Sequence, residues 1–132
     1  MIPLKVHNII DYVAAFVLVV CPYVFGFSDI PTARNLFVAL GVILAGYSAI
    51  TQYRYSLAQV IPLGVHMFLD VVVGFVLMIG PYSFGYRALI SDGQTALHFV
   101  LGLGVWALVA LTRPQLTAVG RITDINEFKK SA

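Results

Sequence analysis

Two histidine–aspartate pairs are the residues whose type and spacing could do chemistry in this sequence. His7 and Asp11 stand four residues apart in "VHNIID", and His66 and Asp70 repeat that spacing in "VHMFLD". Residues at i and i+4 share one face of a helix, so each pair presents an imidazole and a carboxylate together. Such a pair can exchange hydrogen bonds, carry a proton or contribute ligands to a metal ion.

The composition indicates which solvent surrounds these pairs. The chain has 132 residues, of which 60% are hydrophobic and 11% are charged. Soluble domains carry about 25% charged residues, and a chain this short would need a wide polar surface in water. The sequence therefore predicts an integral membrane protein with the lipid bilayer as its main partner. The net charge of +2 does not suggest nucleic acid, and the single Cys21 excludes an internal disulfide.

Four apolar stretches are long enough to cross a bilayer, which takes about 20 helical residues. They are 4–27, 32–51, 63–86 and 95–112. Gly26 and Gly85 are placed to end the first and third helices. Ser91 and Gln94 have the spacing of a capping box for the fourth helix.

The first and third stretches are copies of one segment. Residues 2–27, "IPLKVHNIIDYVAAFVLVVCPYVFGF", align without gaps to 61–86, with 14 of 26 positions identical. The second and fourth stretches match more weakly, after a two-residue shift that pairs Gly41 with Gly102 and Thr51 with Thr112. The chain therefore consists of two helical hairpins in tandem.

This repeat predicts the architecture of the whole chain. Repeat one covers 2–52 and repeat two covers 61–112, within a transmembrane domain of residues 1–112 and before a short cytoplasmic tail, 113–132. Each repeat has two spans, so both enter the membrane in the same direction. We expect an all-α membrane protein in which four transmembrane helices form two tandem parallel-repeat hairpins.

Basic residues predict the orientation in the membrane. The positive-inside rule assigns the side with more lysine and arginine to the cytoplasm. Only Arg34 and Arg87 lie on the side of the two hairpin loops. The opposite side holds Lys5, Arg54, Arg113, Arg121, Lys129 and Lys130. We expect a multi-pass protein of the cell (inner) membrane with both termini in the cytoplasm.

A short motif recurs late in the first helix of each repeat. The two copies are Cys21, Pro22 and Tyr23, and Gly80, Pro81 and Tyr82. With this "CPY" and "GPY" placement, the H-x-x-x-D start and the following "FG", about 110 residues of the chain resemble the SPW-repeat family of small integral membrane proteins. The resemblance implies two pairs of transmembrane helices, and it brings no established activity. The prolines either mark helix ends near the outer interface or kink helices around a cavity.

Three interpretations of the pairs remain open. In the first, His7, Asp11, His66 and Asp70 lock helices together by hydrogen bonds. In the second they carry protons or ions, because ionisable groups inside a membrane mark such pathways. The third is a haem or metal site that uses two or three of His7, His66 and His98, which one histidine per helix does not by itself indicate. His98, whose counterpart in repeat one is Phe37, should lie nearer the outer face and apart from the pairs.

The function predicted from these residues is that of a structural, scaffold or accessory membrane subunit. A second copy or another membrane protein is the expected partner. The alternative is a small ion or proton transporter or channel that uses the two pairs, and a haem- or metal-binding bundle ranks below it. No catalytic constellation is visible, so we expect no enzyme activity, no cofactor and no metal ligand.

Overall fold

The computed structural model of the protein describes residues 1–52 and 56–112. Its elements are α1 (Leu4–Val24), α2 (Pro31–Ile50), α3 (Leu63–Ser83), a 3₁₀ turn (Arg87–Leu89) and α4 (Asp92–Leu111). All four α-helices are long and apolar enough to cross a membrane, which confirms the all-α transmembrane fold. Arg54 and the tail 113–132, with its four basic residues, lie outside the described residues.

The glycines and the serine cap predict the helix ends better than the limits of the apolar stretches do. α1 and α3 end at Val24 and Ser83, short of the predicted 27 and 86. The chain then turns through Gly26 and Gly85, whose φ angles of 71° and 72° favour glycine. α4 begins earlier than 95, because Ser91 caps it at Asp92.

The predicted capping box at the start of α4 is confirmed. The Ser91 hydroxyl accepts from the Gln94 backbone N–H at 3.1 Å, and the Gln94 side chain accepts from the Ser91 N–H at 2.9 Å. Gln94 also donates to the Phe25 carbonyl at 2.8 Å, which ties this end of α4 to the first hairpin. Nearby, Arg87 donates to the Asp92 carboxylate, and this hydrogen bond raises the pKa of the guanidinium above its ordinary value.

Each hairpin is closed by a tight helix crossing at small residues. A Cβ added at Gly41 would lie 2.7 Å from the Ala15 carbonyl oxygen, where α2 crosses α1. A Cβ added at Gly102 would lie 2.5 Å from the Gly74 carbonyl oxygen, where α4 crosses α3. These are equivalent positions in the two repeats, so the repeat has preserved the crossing and not only the helices. Small residues allow such close backbone approach in membranes.

The two hairpins run in the same direction and meet at one end. Ile2 pairs with Thr112, and Ile61 pairs with Thr51, in two isolated bridges of the same parallel type. The starts of α1 and α3 therefore lie beside the ends of α4 and α2. This is the arrangement expected of parallel repeats about an axis along the membrane normal.

The bundle has an apolar middle and apolar outer faces. Large hydrophobic side chains such as Phe16, Phe68 and Val100 point outward and are exposed, as suits contact with lipid. Between the two ends of the bundle, the buried side chains include those of Ala15, Leu18, Leu44, Val73 and Leu77. Most helix packing is within each hairpin, and less of it joins one hairpin to the other.

Candidate functional site

The structure brings both histidine–aspartate pairs into one cluster. Within the repeats, His7 Nε2 lies 3.4 Å from Asp11 Oδ1, and His66 Nε2 lies 3.2 Å from Asp70 Oδ2. Across the repeats, His7 Nε2 lies 3.3 Å from Asp70 Oδ2, and His66 Nε2 lies 3.2 Å from Asp11 Oδ2. Each histidine therefore contacts both aspartates. We refer to these four residues as the His/Asp cluster.

The cluster is sealed inside the bundle. Both histidines are 0% exposed and both aspartates are 2% exposed. One ligand-type atom from each of the four residues lies within 4.8 Å of all the others. Four ionisable groups so close together in a dry site must balance one another's charge, because an isolated buried charge is very costly.

Two threonines at the helix ends hold the imidazole rings. Thr112 Oγ1 lies 2.7 Å from His7 Nδ1, and Thr51 Oγ1 lies 2.9 Å from His66 Nδ1. Each threonine hydroxyl donates its one hydrogen to the carbonyl oxygen four residues earlier, at 2.6 Å in both cases. The threonine oxygens must therefore accept from Nδ1–H. On a neutral imidazole this assigns the proton to Nδ1 and points the lone pair of Nε2 at the carboxylates.

The two aspartates have different surroundings despite the repeat. The Tyr47 hydroxyl donates to Asp70 Oδ1 at 2.6 Å, which leaves Oδ2 for the two histidines. Leu108 occupies in repeat two the position that Tyr47 occupies in repeat one, so the matching position offers Asp11 no phenol. Asp11 instead presents one oxygen to each histidine.

This geometry restricts what can occupy the centre of the cluster. A neutral Nε2 lone pair and a carboxylate oxygen are both acceptors, and they repel each other at 3.2–3.4 Å. A proton or a cation must therefore lie between them. Protons on Nε2 of the histidines or on the carboxyl groups would meet this need, and so would one divalent cation bound to two neutral imidazoles. The arrangement can thus act as a hydrogen-bonded connection between the two repeats, which we call the joint. It can also act as a set of groups that hold and exchange protons, or as a metal site.

His98 lies outside the cluster, towards the other end of the bundle, as its depth in the sequence predicts. Its Nδ1 donates to the Gln94 carbonyl at 2.6 Å, so Nε2 accepts from the Tyr86 hydroxyl at 3.1 Å. Its ring also packs on Phe37 and Phe27, at centroid distances of 4.8 and 5.8 Å. We call Phe27, Phe37, Tyr86 and His98 the aromatic layer.

The repeated triplets lie at the same end of the bundle as the aromatic layer. Pro22 and Pro81 are buried in the last turns of α1 and α3, which end two residues later. Tyr23 and Tyr82 point outward and are 60% and 58% exposed. These positions favour the interpretation as helix ends near an interface over that of a kink.

The first residue of each triplet is small and buried, and in repeat two its neighbours leave no room for a side chain. Cys21 is buried in the core. A Cβ added at Gly80 would lie 2.6 Å from Leu36 Cδ2 and 2.9 Å from the Tyr86 hydroxyl. Tyr86 thus occupies part of the space that a larger side chain at position 80 would need.

Three contributors to the cluster were missed as site residues by sequence reasoning. They are Tyr47, Thr51 and Thr112, all at the ends of second helices, where the repeats resemble each other weakly. One usable signal was present, since Thr51 and Thr112 are matched positions in the repeat alignment. Nothing in the sequence distinguished Tyr47 from an ordinary interfacial tyrosine.

Comparison with known proteins gives one match. The family model described as the SPW repeat domain matches residues 5–113, which covers all four helices except Leu4 and includes every member of the His/Asp cluster. No curated protein and no solved structure matches the chain.

Proposed function

The chain belongs to the SPW repeat family of membrane proteins, and from that premise we propose that it is a structural or accessory membrane subunit whose two repeats are joined by the His/Asp cluster. The observation that carries this proposal is the exchange of partners between repeats. His7 of repeat one contacts Asp70 of repeat two, and His66 contacts Asp11. Neither repeat completes its own site.

Polar contacts between the repeats would stabilise the packing of the two hairpins in lipid. Lipid is as apolar as a leucine side chain, so helices in a bilayer gain little from apolar burial and rely on close packing and hydrogen bonds. Close crossings hold each hairpin together, while fewer contacts join the hairpins. The buried polar contacts of the cluster are placed where packing alone is weakest.

A structural role is also supported by the apolar barrier above the cluster. Towards the aromatic layer the core includes Ala15, Leu18, Leu44, Val73 and Leu77, all of them apolar. Among the described residues, no ionisable side chain of that middle region continues the cluster towards His98. This favours a joint over a continuous pathway for ions.

Proton translocation is the second candidate, and one observation favours it. Tyr47, Asp70 and the two histidines form a connected set of groups that can exchange protons, and Thr51 and Thr112 extend it to the helix ends. A proton entering at that end would reach all four members of the cluster. Flux across the whole bundle would still require a route through the apolar middle.

Substitutions of Asp11 separate the two candidates. Asp11→Asn keeps hydrogen-bonding capacity but removes the titratable group, while Asp11→Leu removes both. If the cluster is a joint, Asp11→Leu should strongly lower the melting temperature of the protein in detergent, and Asp11→Asn should lower it less. Liposomes that contain the wild-type protein should show no proton flux when it is followed with a pH-sensitive dye.

Two results would contradict the joint. One is an Asp11→Leu variant as stable as wild type. The other is wild-type proton flux that Asp11→Asn abolishes without loss of folded protein, which would establish the transporter instead.

The orientation belongs to the same proposal. We place both termini in the cytoplasm of a cell with an inner membrane, with a second copy or another membrane protein as partner and no enzymatic reaction. Reporter fusions at residue 132 and within 87–94 should report opposite sides of the membrane, with the terminal fusion cytoplasmic. Equal signals from both fusions would contradict the four-span topology.

A further inference from the structure

We propose that the His/Asp cluster binds one divalent transition-metal ion of the Zn²⁺ class, coordinated by His7, Asp11, His66 and Asp70. The inference deepens the proposed function and rests on it, since the ion would be the centre of the joint between the repeats. The single histidine on each helix gave no metal motif in the sequence. The folded chain supplies the motif by bringing two helices together.

The spacing of the ligand atoms is close to that of a tetrahedral site. Metal–nitrogen and metal–oxygen bonds of about 2.0–2.2 Å place neighbouring tetrahedral ligands about 3.3–3.6 Å apart. Asp70 Oδ2 lies 3.3 Å from His7 Nε2 and 3.2 Å from His66 Nε2, while Asp11 faces His7 with Oδ1 at 3.4 Å and His66 with Oδ2 at 3.2 Å. One ligand atom from each residue lies within 4.8 Å of the others. An ion at the centre would therefore bind one of the two Asp11 oxygens and draw the widest pair of ligand atoms together by about 1 Å.

The hydrogen bonds around the cluster prepare its atoms for coordination. Ligating histidines usually donate their second ring N–H to a neighbouring acceptor, which fixes the tautomer and the ring plane. Thr112 and Thr51 accept from Nδ1 of His7 and His66, so both Nε2 lone pairs point at the centre. Tyr47 holds the outer oxygen of Asp70 and leaves the inner one for the ion.

Charge and ligand type narrow the choice of ion. Two neutral imidazoles and two carboxylates carry a charge of −2, which one divalent ion neutralises in a site closed to water. Imidazole nitrogen suits Zn²⁺ and its first-row neighbours. Mg²⁺ and Ca²⁺ prefer six or more oxygen ligands, which this site does not offer.

The test uses the untagged full chain in detergent, stripped with EDTA and then titrated with Zn²⁺. We expect one Zn²⁺ per chain by equilibrium dialysis, a rise in melting temperature on binding, and no displacement by excess Mg²⁺. Co²⁺ in place of Zn²⁺ should give the strong visible absorption of a tetrahedral site.

Matched variants locate the ion. His7→Gln and Asp70→Asn should weaken Zn²⁺ binding more than about 100-fold, because each removes a ligand. His98→Gln removes a buried histidine outside the cluster and should bind as wild type does. Thr112→Val removes no ligand but removes the hydroxyl that orients His7, together with its hydrogen bond to the Leu108 carbonyl, and should weaken binding about 10- to 100-fold. Size-exclusion profiles identify the variants that remain folded.

The possible results test the metal site and the joint between the repeats independently. No Zn²⁺ binding by wild type, equal binding by folded His7→Gln, or a Co²⁺ spectrum without tetrahedral absorption would overturn the metal site. The Co²⁺ result applies even if every ligand variant misfolds. If Zn²⁺ does not bind while Asp11→Leu still destabilises the EDTA-treated protein, the ion is refuted and the joint stands. If Asp11→Leu is harmless in EDTA, the joint itself fails.

Discussion

The two ends of the bundle use the same twofold arrangement with different chemistry. At one end, the His/Asp cluster has the same residues in both repeats, and each repeat completes the other. At the other end, the aromatic layer combines an apolar pair from repeat one, Phe27 and Phe37, with a polar pair from repeat two, Tyr86 and His98.

The difference shows which positions of a repeat can change independently. In the aromatic layer, the Tyr86 hydroxyl donates to His98 Nε2, and His98 Nδ1 donates to the Gln94 carbonyl. The polar pair therefore makes its hydrogen bonds within repeat two. An apolar pair in the equivalent place is equally self-contained. In the His/Asp cluster every member contacts residues of the other repeat, so changing one residue leaves a buried charge without its balance.

The largest effect is expected from breaking the His/Asp cluster at Asp70. Asp70→Leu removes the carboxylate that His7, His66 and Tyr47 all contact. Removing one partner of a buried ionic set costs about 3–5 kcal/mol. Thermal unfolding in EDTA should show a larger loss for Asp70→Leu than for Asp70→Asn. Equal, small losses would mean that the carboxylate charge contributes nothing to the fold.

A smaller effect is expected from Tyr47→Phe, which sharpens the difference between the two aspartates. It removes the hydrogen bond to Asp70 Oδ1, and hydrogen bonds to charged groups contribute about 1.5–3 kcal/mol. Tyr12→Phe removes a phenol outside the cluster and is the control. The melting temperature should fall for Tyr47→Phe only. A matching fall in the control would refute a specific role for Tyr47.

The smallest net effect is expected in the aromatic layer. His98→Phe alone leaves the buried Tyr86 hydroxyl without its acceptor, at a cost of about 1–3 kcal/mol. Adding Tyr86→Phe recreates the Phe27–Phe37 pair of repeat one and should recover most of that loss. The melting temperatures of the two single variants and the double variant measure the recovery. A double variant worse than both singles would show that the polar pair is required.

The sequence predicts most of the fold, for reasons visible in particular residues. Long apolar stretches identify the helices, Gly26 and Gly85 identify the turns, and Ser91 with Gln94 identifies the start of α4. The parallel repeats follow from counting spans. The ends predicted for α1 and α3 from the apolar stretches were three residues too late, because apolar residues continue past the last helical turn into the loops.

The site is only half predictable, because it forms between repeats. The i, i+4 spacing places His7 beside Asp11, but the contact of His7 with Asp70 depends on how two hairpins pack. The threonines that fix the imidazole rings come from the ends of second helices, far away in sequence. Hydroxyls at a helix end have many ordinary roles, so only the folded geometry identifies these two as histidine partners.

The most direct test of the central claim is a double-mutant cycle across the two repeats. His7→Gln and Asp70→Asn are made singly and together, and unfolding free energies are measured in EDTA. Contact across the repeats predicts a coupling of about 1–3 kcal/mol, against additivity within about 0.5 kcal/mol for the control cycle of Asp70→Asn with His98→Gln. Additivity of His7→Gln and Asp70→Asn would contradict a cluster shared by the repeats.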